Sequence, residues 1–252
     1  MSDSEPNTAL ARPLEGRLAV VTGASRGIGY QAALGFARAG AHVIAVARTV
    51  GGLEELDDEI RVAGGSATLV PLDIKDYDAL DRLGGTIHER WGKLDILLGN
   101  AGTLGVVTPL AQMKPSVFED LMAINVTANY RLIRSLDPLL RASDAGRALF
   151  ITSGATKSLR PFTGPYAASK AALDAMVRVY AAETIKTSVT ANLVDPGTLR
   201  TKMRAQYAPG ERPETVPHPS AIVDTLVALA SPTETRSGGI FDFPNGQWLD
   251  LA

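Results

Sequence analysis

With 252 residues, 45% of them apolar and 21% charged, the chain can bury a sizeable α/β core and lacks the polar bias of a disordered protein. A formal net charge of −2 gives no general attraction for nucleic acid or an anionic membrane surface, and no run of about 18 apolar residues exists to cross a membrane. Zero cysteines exclude disulfides, thiolate catalysis and cysteine-ligated zinc, and His42, His88 and His218 have no metal-ligand spacing, so no metal is expected and a cytoplasmic setting is.

Residues 1–15 read as a polar, mobile tail without an export core, and residues 16–252 as one domain with no internal linker or repeat. From Gly16 onward, short apolar runs follow one another: LAVVT from Leu18, HVIAVA from His42, ATLVPL from Ala67, LDILLG from Leu94, RALFIT from Arg147, SVTANLV from Ser188 and GGIFDF from Gly238. Each has strand length and is apolar on both faces, as for strands covered above and below. Longer segments with helical spacing separate them, among them YQAALGFARAG and VFEDLMAINVTANYRLIRSL. This alternation predicts an α/β, doubly wound Rossmann fold: a seven-stranded parallel sheet with helices on both faces. The Pro- and Gly-rich stretch YAPGERPETVPHP, from Tyr207, reads as a loop or lid late in the chain.

The first of these units, LAVVTGASRGIGYQAALGFARAG, is strand, glycine-rich turn and helix. Gly23 permits a turn with φ > 0, Gly27 removes the Cβ that would block a pyrophosphate, and Gly29 lets the helix pack closely on the strand. The helix N-terminus offers unpaired N–H groups and a positive dipole end to phosphates. A plain βα turn also holds glycines, but this triplet has the strand-turn-helix context that dinucleotide binding requires. After the second strand stands Arg48 rather than a carboxylate, and Arg26 lies inside the glycine turn. Two guanidiniums there suit a 2′-phosphate, so NADP(H) is expected in preference to NAD(H). Surface arginines are the ordinary alternative.

In GPYAASKAAL, from Gly164, Tyr166 and Lys170 stand four apart, one helical turn, and so share a face among very small neighbours.

Together, TGASRGIG (22–29), GNAG (99–102), Asn125, Ser153, YAASK (166–170) and DPGTLRT (195–201) resemble the motifs of the short-chain dehydrogenases/reductases, in their compact single-domain branch. The resemblance covers the chain from Gly16 onward, and its serine and tyrosine stand thirteen positions apart, as in the family. One departure is visible: where the family has a first asparagine before Asn100, Ala101 and Gly102, this chain has Gly99, which puts a strand-stabilising side chain in question.

The resemblance implies a catalytic tetrad of Asn125, Ser153, Tyr166 and Lys170. Hydride transfer to a carbonyl needs a proton donor at the developing alkoxide, and alcohol oxidation needs the reverse. A free tyrosine has a pKa of about 10, and the Lys170 ammonium one turn on is expected to lower it. Lys170 would also donate to the nicotinamide ribose, Ser153 hold the substrate oxygen, and Asn125 hold a water leading from Lys170 to solvent. Cofactor contacts are implied at Thr22, Gly23, Ser25, Arg26, Gly27, Ile28, Gly29 and Arg48. Others fall at Asp73 and Ile74 for adenine, at Asn100, Ala101 and Gly102 for the adenosine ribose, and at Tyr166 and Lys170. Pro196, Gly197, Thr198 and Thr201 would flank the nicotinamide and pyrophosphate. A helix cap is the alternative for Asp73.

The substrate pocket is expected at the carboxyl ends of the strands, walled by Leu104, Gly154, Ala155, Leu159, Tyr207 and residues 202–219. Arg200, Lys202 and Arg204 at its mouth suit either an anionic substrate or carrier, or a solvated helix face. The expected activity is an NADP(H)-dependent oxidoreductase on a carbonyl or alcohol, with a 3-oxoacyl-type reductase among its forms. The same tetrad serves an NAD(P)+-linked alcohol or sugar dehydrogenase. A non-catalytic dinucleotide-binding redox sensor is the alternative from another class, and the intact Ser153, Tyr166 and Lys170 weigh against it. By resemblance, helices at 117–140 and 163–186 would pair copies into a homodimer or homotetramer.

Overall fold

The computed structural model of the chain describes residues 12–249. Eight strands form one sheet: β1 (Leu18–Thr22), β2 (His42–Ala47), β3 (Ser66–Pro71), β4 (Ile96–Gly99), β5 (Arg147–Ile151), β6 (Thr190–Asp195), β7 (Ile240–Asp242) and β8 (Gln247–Trp248). Their spatial order is β3-β2-β1-β4-β5-β6-β7-β8, and every pair is parallel except β7 with β8. Each of the seven runs read from the sequence marks one of the strands β1 to β7, and the Rossmann order reverses at β1 and β4, where a crevice opens.

The eighth strand corrects the seven-stranded, all-parallel expectation. After β7, Phe243–Asn245 makes a short 3-10 turn and Gly246 takes φ +63°, so the chain doubles back. Trp248 then packs edge-on to Phe241, with ring centroids 5.4 Å apart. Two residues are too few to display an alternation, which is why no signal pointed to β8.

The helices are α1 (Gly27–Arg38), α2 (Val50–Val62), α3 (Tyr77–Trp91), α4 (Pro115–Met122), α5 (Ala128–Arg141), α6 (Ala155–Ser158), α7 (Gly164–Glu183), α8 (Lys202–Tyr207) and α9 (Val223–Ala230). Successive residues of β1 point to opposite faces and join different cores. Ala19 and Val21 pack with Phe36 of α1, Leu56 of α2 and Leu226 of α9. Leu18 and Val20 pack with Leu80 of α3, Leu132 of α5 and Leu173 of α7. At the amino end of the sheet, the Asp95 carboxylate takes the Leu18 N–H at 2.9 Å, the Ser143 hydroxyl at 2.6 Å and the Lys93 ammonium at 2.9 Å. Burial pushes its pKa up, but those donors outweigh burial and hold it below the usual carboxylate value.

Of the expected tail at residues 1–15, residues 12–15 are described. Leu14 is fully buried and its N–H donates to Ala39 O at 2.9 Å, because the apolar side chain covers the end of α1. Residues 1–11 and 250–252 lie outside the described residues. No helix among the described residues is long and apolar enough to cross a membrane.

Candidate active site

The carboxyl ends of β1, β2, β4, β5 and β6 open onto a cleft of about 960 Å³. One end is the glycine turn. Thr22, fully buried, accepts the N–H groups of Asn100 and Ala101 on its hydroxyl at 3.0 and 3.1 Å. The Asn100 amide returns to Thr22 O at 2.8 Å, so the ends of β1 and β4 are stitched together. A Cβ on Gly29 would lie 2.4 Å from both the Asn100 amide nitrogen and Gly23 O, so only glycine allows this approach. No side chain caps α1, and its first turn holds no acid, which leaves its positive end toward the cleft.

The expected cofactor positions all reach the cleft wall except Thr22 and Gly29, which are buried behind it and hold its shape. Arg48 and Arg26 both line the adenosine end. Arg48 reaches Asp73 at 3.5 Å while most of its side chain stays exposed. Asp73 also accepts the Lys75 N–H at 3.0 Å, and the cap of α3 falls to Asp76, which accepts from Ala79 N at 2.9 Å. Thr201 caps α8 by accepting the Arg204 N–H at 3.1 Å, and its methyl group sits 3.5 Å from the Cβ position of Gly27.

At the other end, Ser153, Tyr166 and Lys170 line the cleft together. Ser153 follows β5, and Tyr166 and Lys170 lie one turn apart near the start of α7. Ser153 faces the same cleft as the Tyr166 phenol, and its hydroxyl accepts the Ala155 N–H at 3.2 Å. Lys170 is buried and donates to Ile151 O at 2.7 Å. Burial lowers its pKa from 10.5 to about 8, opposed by the nearby Asp174 carboxylate. Its amine is still mostly charged at neutrality.

Burial pushes the Tyr166 phenol above 10.0; the Ser153 hydrogen bond pulls it down, and the Asp195 carboxylate pushes it further up. The lowering expected of the phenol rests on both Lys170 and the positive nicotinamide of the oxidised cofactor, and of these only Lys170 belongs to the chain. Lys170 spends a hydrogen bond on the Ile151 carbonyl, and desolvation governs Tyr166.

Asn125 stands behind the wall, fully buried in a π-helical turn (Ala123–Thr127) between α4 and α5. Its Oδ1 accepts Thr103 N at 2.8 Å, and its Nδ2 donates to Thr103 O at 2.9 Å and to Ser169 Oγ at 3.0 Å. Ser169 is the residue before Lys170, so Asn125 ties the loop after β4 to the lysine-bearing helix. π turns of this kind gather at functional sites.

Of the expected substrate walls, Leu104, Gly154, Ala155 and Tyr207 line the cleft. Leu159 does not: it ends α6 in the left-handed region at φ 43° with 71% of its surface exposed. The segment after β6 is held by Arg200 N donating to Pro217 O at 2.8 Å and by Gln206 Nε2 donating to Gly105 O at 2.7 Å. Glu211 grips Arg204 at 2.5 Å, so only Arg200 and Lys202 of the basic cluster lack a carboxylate partner among the described residues. Gln206, inside the expected wall of residues 202–219, lines the cleft, as do Arg160 and Thr103, which lie in loops where no periodicity marks them. No His/Cys/Asp/Glu cluster suited to a metal occurs among the described residues.

Residues 17–212 match the short chain dehydrogenase family model. The chain is 35% identical over 238 residues to the uncharacterised oxidoreductase YciK of Escherichia coli, covering 93% of this chain and 94% of that protein. It is 34% identical over 236 residues to the fatty acyl-CoA reductase of Acinetobacter baylyi, covering 87% of this chain and 80% of that protein. A short chain dehydrogenase from Shigella flexneri, solved in complex with NADP, superimposes with a TM-score of 0.89 at 35% identity, covering 93% of this chain and 99% of that one.

Proposed function

This chain belongs to the short-chain dehydrogenases, and from that footing we propose that it is an NADP(H)-dependent oxidoreductase working chiefly as a carbonyl reductase. The carrying observation is that Ser153, Tyr166 and a buried Lys170 line one cleft, with Tyr166 and Lys170 one turn apart on α7.

The residues fit the dinucleotide. Gly27 leaves its Cβ space clear, α1 presents an uncapped positive end, and Arg26 and Arg48 supply donors suited to a 2′-phosphate. Bound NADP(H) supplies the hydride that a carbonyl carbon receives. Ser153 holds the carbonyl oxygen against Tyr166. Tyr166 stands protonated at neutral pH, and the alkoxide that forms is a stronger base than a phenolate, so Tyr166 gives it the proton. Lys170 keeps positive charge below that oxygen, and Asn125 fixes the backbone beside it. Similarity to a structure bound to NADP and to a fatty acyl-CoA reductase supports NADP(H) and an acyl-type carbonyl substrate.

Residues 16–252 are proposed to act as one catalytic unit in the cytoplasm. The exposed Phe118, Tyr130 and Val179 of α4, α5 and α7 favour a homo-oligomer, which sedimentation velocity reads directly.

The test follows NADPH absorbance against ketones, 3-oxoacyl thioesters, sugars and quinones, with Tyr166→Phe as control. Wild type should consume NADPH with at least one carbonyl class. The variant should lose about 10²- to 10⁴-fold in kcat while still binding NADPH. NADPH binding without consumption by wild type, or near-normal turnover by the variant, would refute the reading.

A further inference from the structure

Gly99, the last residue of β4, is a glycine because its Cβ space is taken. A Cβ there would lie 2.3 Å from the Phe150 ring and 2.8 Å from Asn129 Oδ1. Phe150 is fully buried, and Asn129, near the start of α5, is 2% exposed. The Asn129 amide nitrogen donates to the backbone carbonyl of Asn125 at 2.8 Å. The Asn129 carboxamide thus lies with its oxygen against the bare Gly99 backbone and its nitrogen on the Asn125 carbonyl.

From that carbonyl the connection runs through Asn125 to both sides of the site. Its side chain holds Thr103 N and Thr103 O on the loop after β4, and Ser169 Oγ next to Lys170. Ser169 Oγ in turn donates to Tyr166 O at 2.8 Å. A buried amide with one good donor on a turn carbonyl fixes that turn in one arrangement.

We propose that Asn129, seated against the bare Gly99 backbone, is a positioning residue that, through the Asn125 carbonyl, fixes the link between Thr103 and the helix that carries Tyr166 and Lys170. This rests on the reading of Tyr166 and Lys170 as the catalytic pair.

Two variants and a rescue test it. Asn129→Leu keeps the volume and removes the donor. It should lower kcat by about tenfold, leave NADPH affinity within about twofold, and speed hydrogen exchange at the Thr103 amide. Asn129→Asp keeps a donor only while its carboxyl is protonated, so its kcat should fall with rising pH across a range where wild type is flat. Gly99→Asn with Phe150→Val, added to Asn129→Ala, should return part of the kcat that Asn129→Ala loses, by delivering an amide from the strand into the space it vacates. Unchanged kcat and unchanged Thr103 exchange in Asn129→Leu would overturn the proposal. So would a loss of kcat matched by an equal loss of NADPH affinity, or pH profiles of Asn129→Asp and wild type that superimpose. A wild type without turnover would defeat the catalytic reading alone, and the exchange measurement would still decide whether Asn129 holds the turn.

Discussion

Lys170→Met should make the protein more stable at neutral pH while abolishing its activity. Burial lowers the Lys170 pKa from 10.5 to about 8. At about 1.36 kcal/mol per unit, holding the cation folded costs about 3 kcal/mol below pH 8. Between about pH 8 and 10.5 the unfolded chain binds more protons than the folded one, so this penalty fades as pH rises, and it is gone above 10.5. Methionine keeps the apolar stem and leaves Ile151 O without its 2.7 Å donor, a loss of about 1–2 kcal/mol at any pH. Asp174, pushed toward the neutral acid by burial, can answer the loss of its cationic neighbour by binding a proton. The balance is a gain of about 1–2 kcal/mol near pH 7 and a deficit of similar size near pH 10.5. Urea unfolding of wild type and variant at both pH values measures the two differences. A variant that is less stable at neutral pH, or a difference that does not move with pH, would show that Lys170 is not held in the folded state against its solvation.

Gly29→Ala should weaken NADPH binding by about tenfold or more and cost about 1–3 kcal/mol of stability, since its methyl group would meet Asn100 and Gly23 O at 2.4 Å. Fluorescence titration checks it, and an unchanged affinity would mean that the glycine turn does not shape the phosphate site. Arg48→Ala should lower the ratio of kcat/KM for NADPH over NADH by about tenfold, in line with loss of a charge-assisted contact of about 1.5 kcal/mol. An unchanged ratio would remove Arg48 from cofactor choice.

Much of this architecture is legible in the residues. Each parallel strand is an apolar run bounded by polar or glycine residues, and Tyr166 and Lys170 share a face simply because they are four apart. The π turn at Ala123–Thr127 is not legible, since MAINVTANYR keeps an unbroken helical rhythm and nothing local marks the extra residue in the turn. Arg204 reads as a free cation until the chain reverses and brings Glu211 to it. The phenol of Tyr166 was expected to be lowered because its charged neighbour is visible in sequence, whereas desolvation is a property of everything packed around it. Asn129 gave no signal at all, because its meaning depends on the vacancy at Gly99 and on Phe150 from a different strand.

The borders of the sheet bear on how the protein behaves at high concentration. On one side the outermost strand, β3, ends in Pro71, which has no N–H to offer, and on the other β8 is only two residues long. Pro71 stops further pairing at the end of the β3 margin and the β8 margin is very short, so growth of the sheet into aggregates is hindered. A pairing of copies through helix faces, as proposed above, would let side chains rather than exposed peptide groups choose the partner.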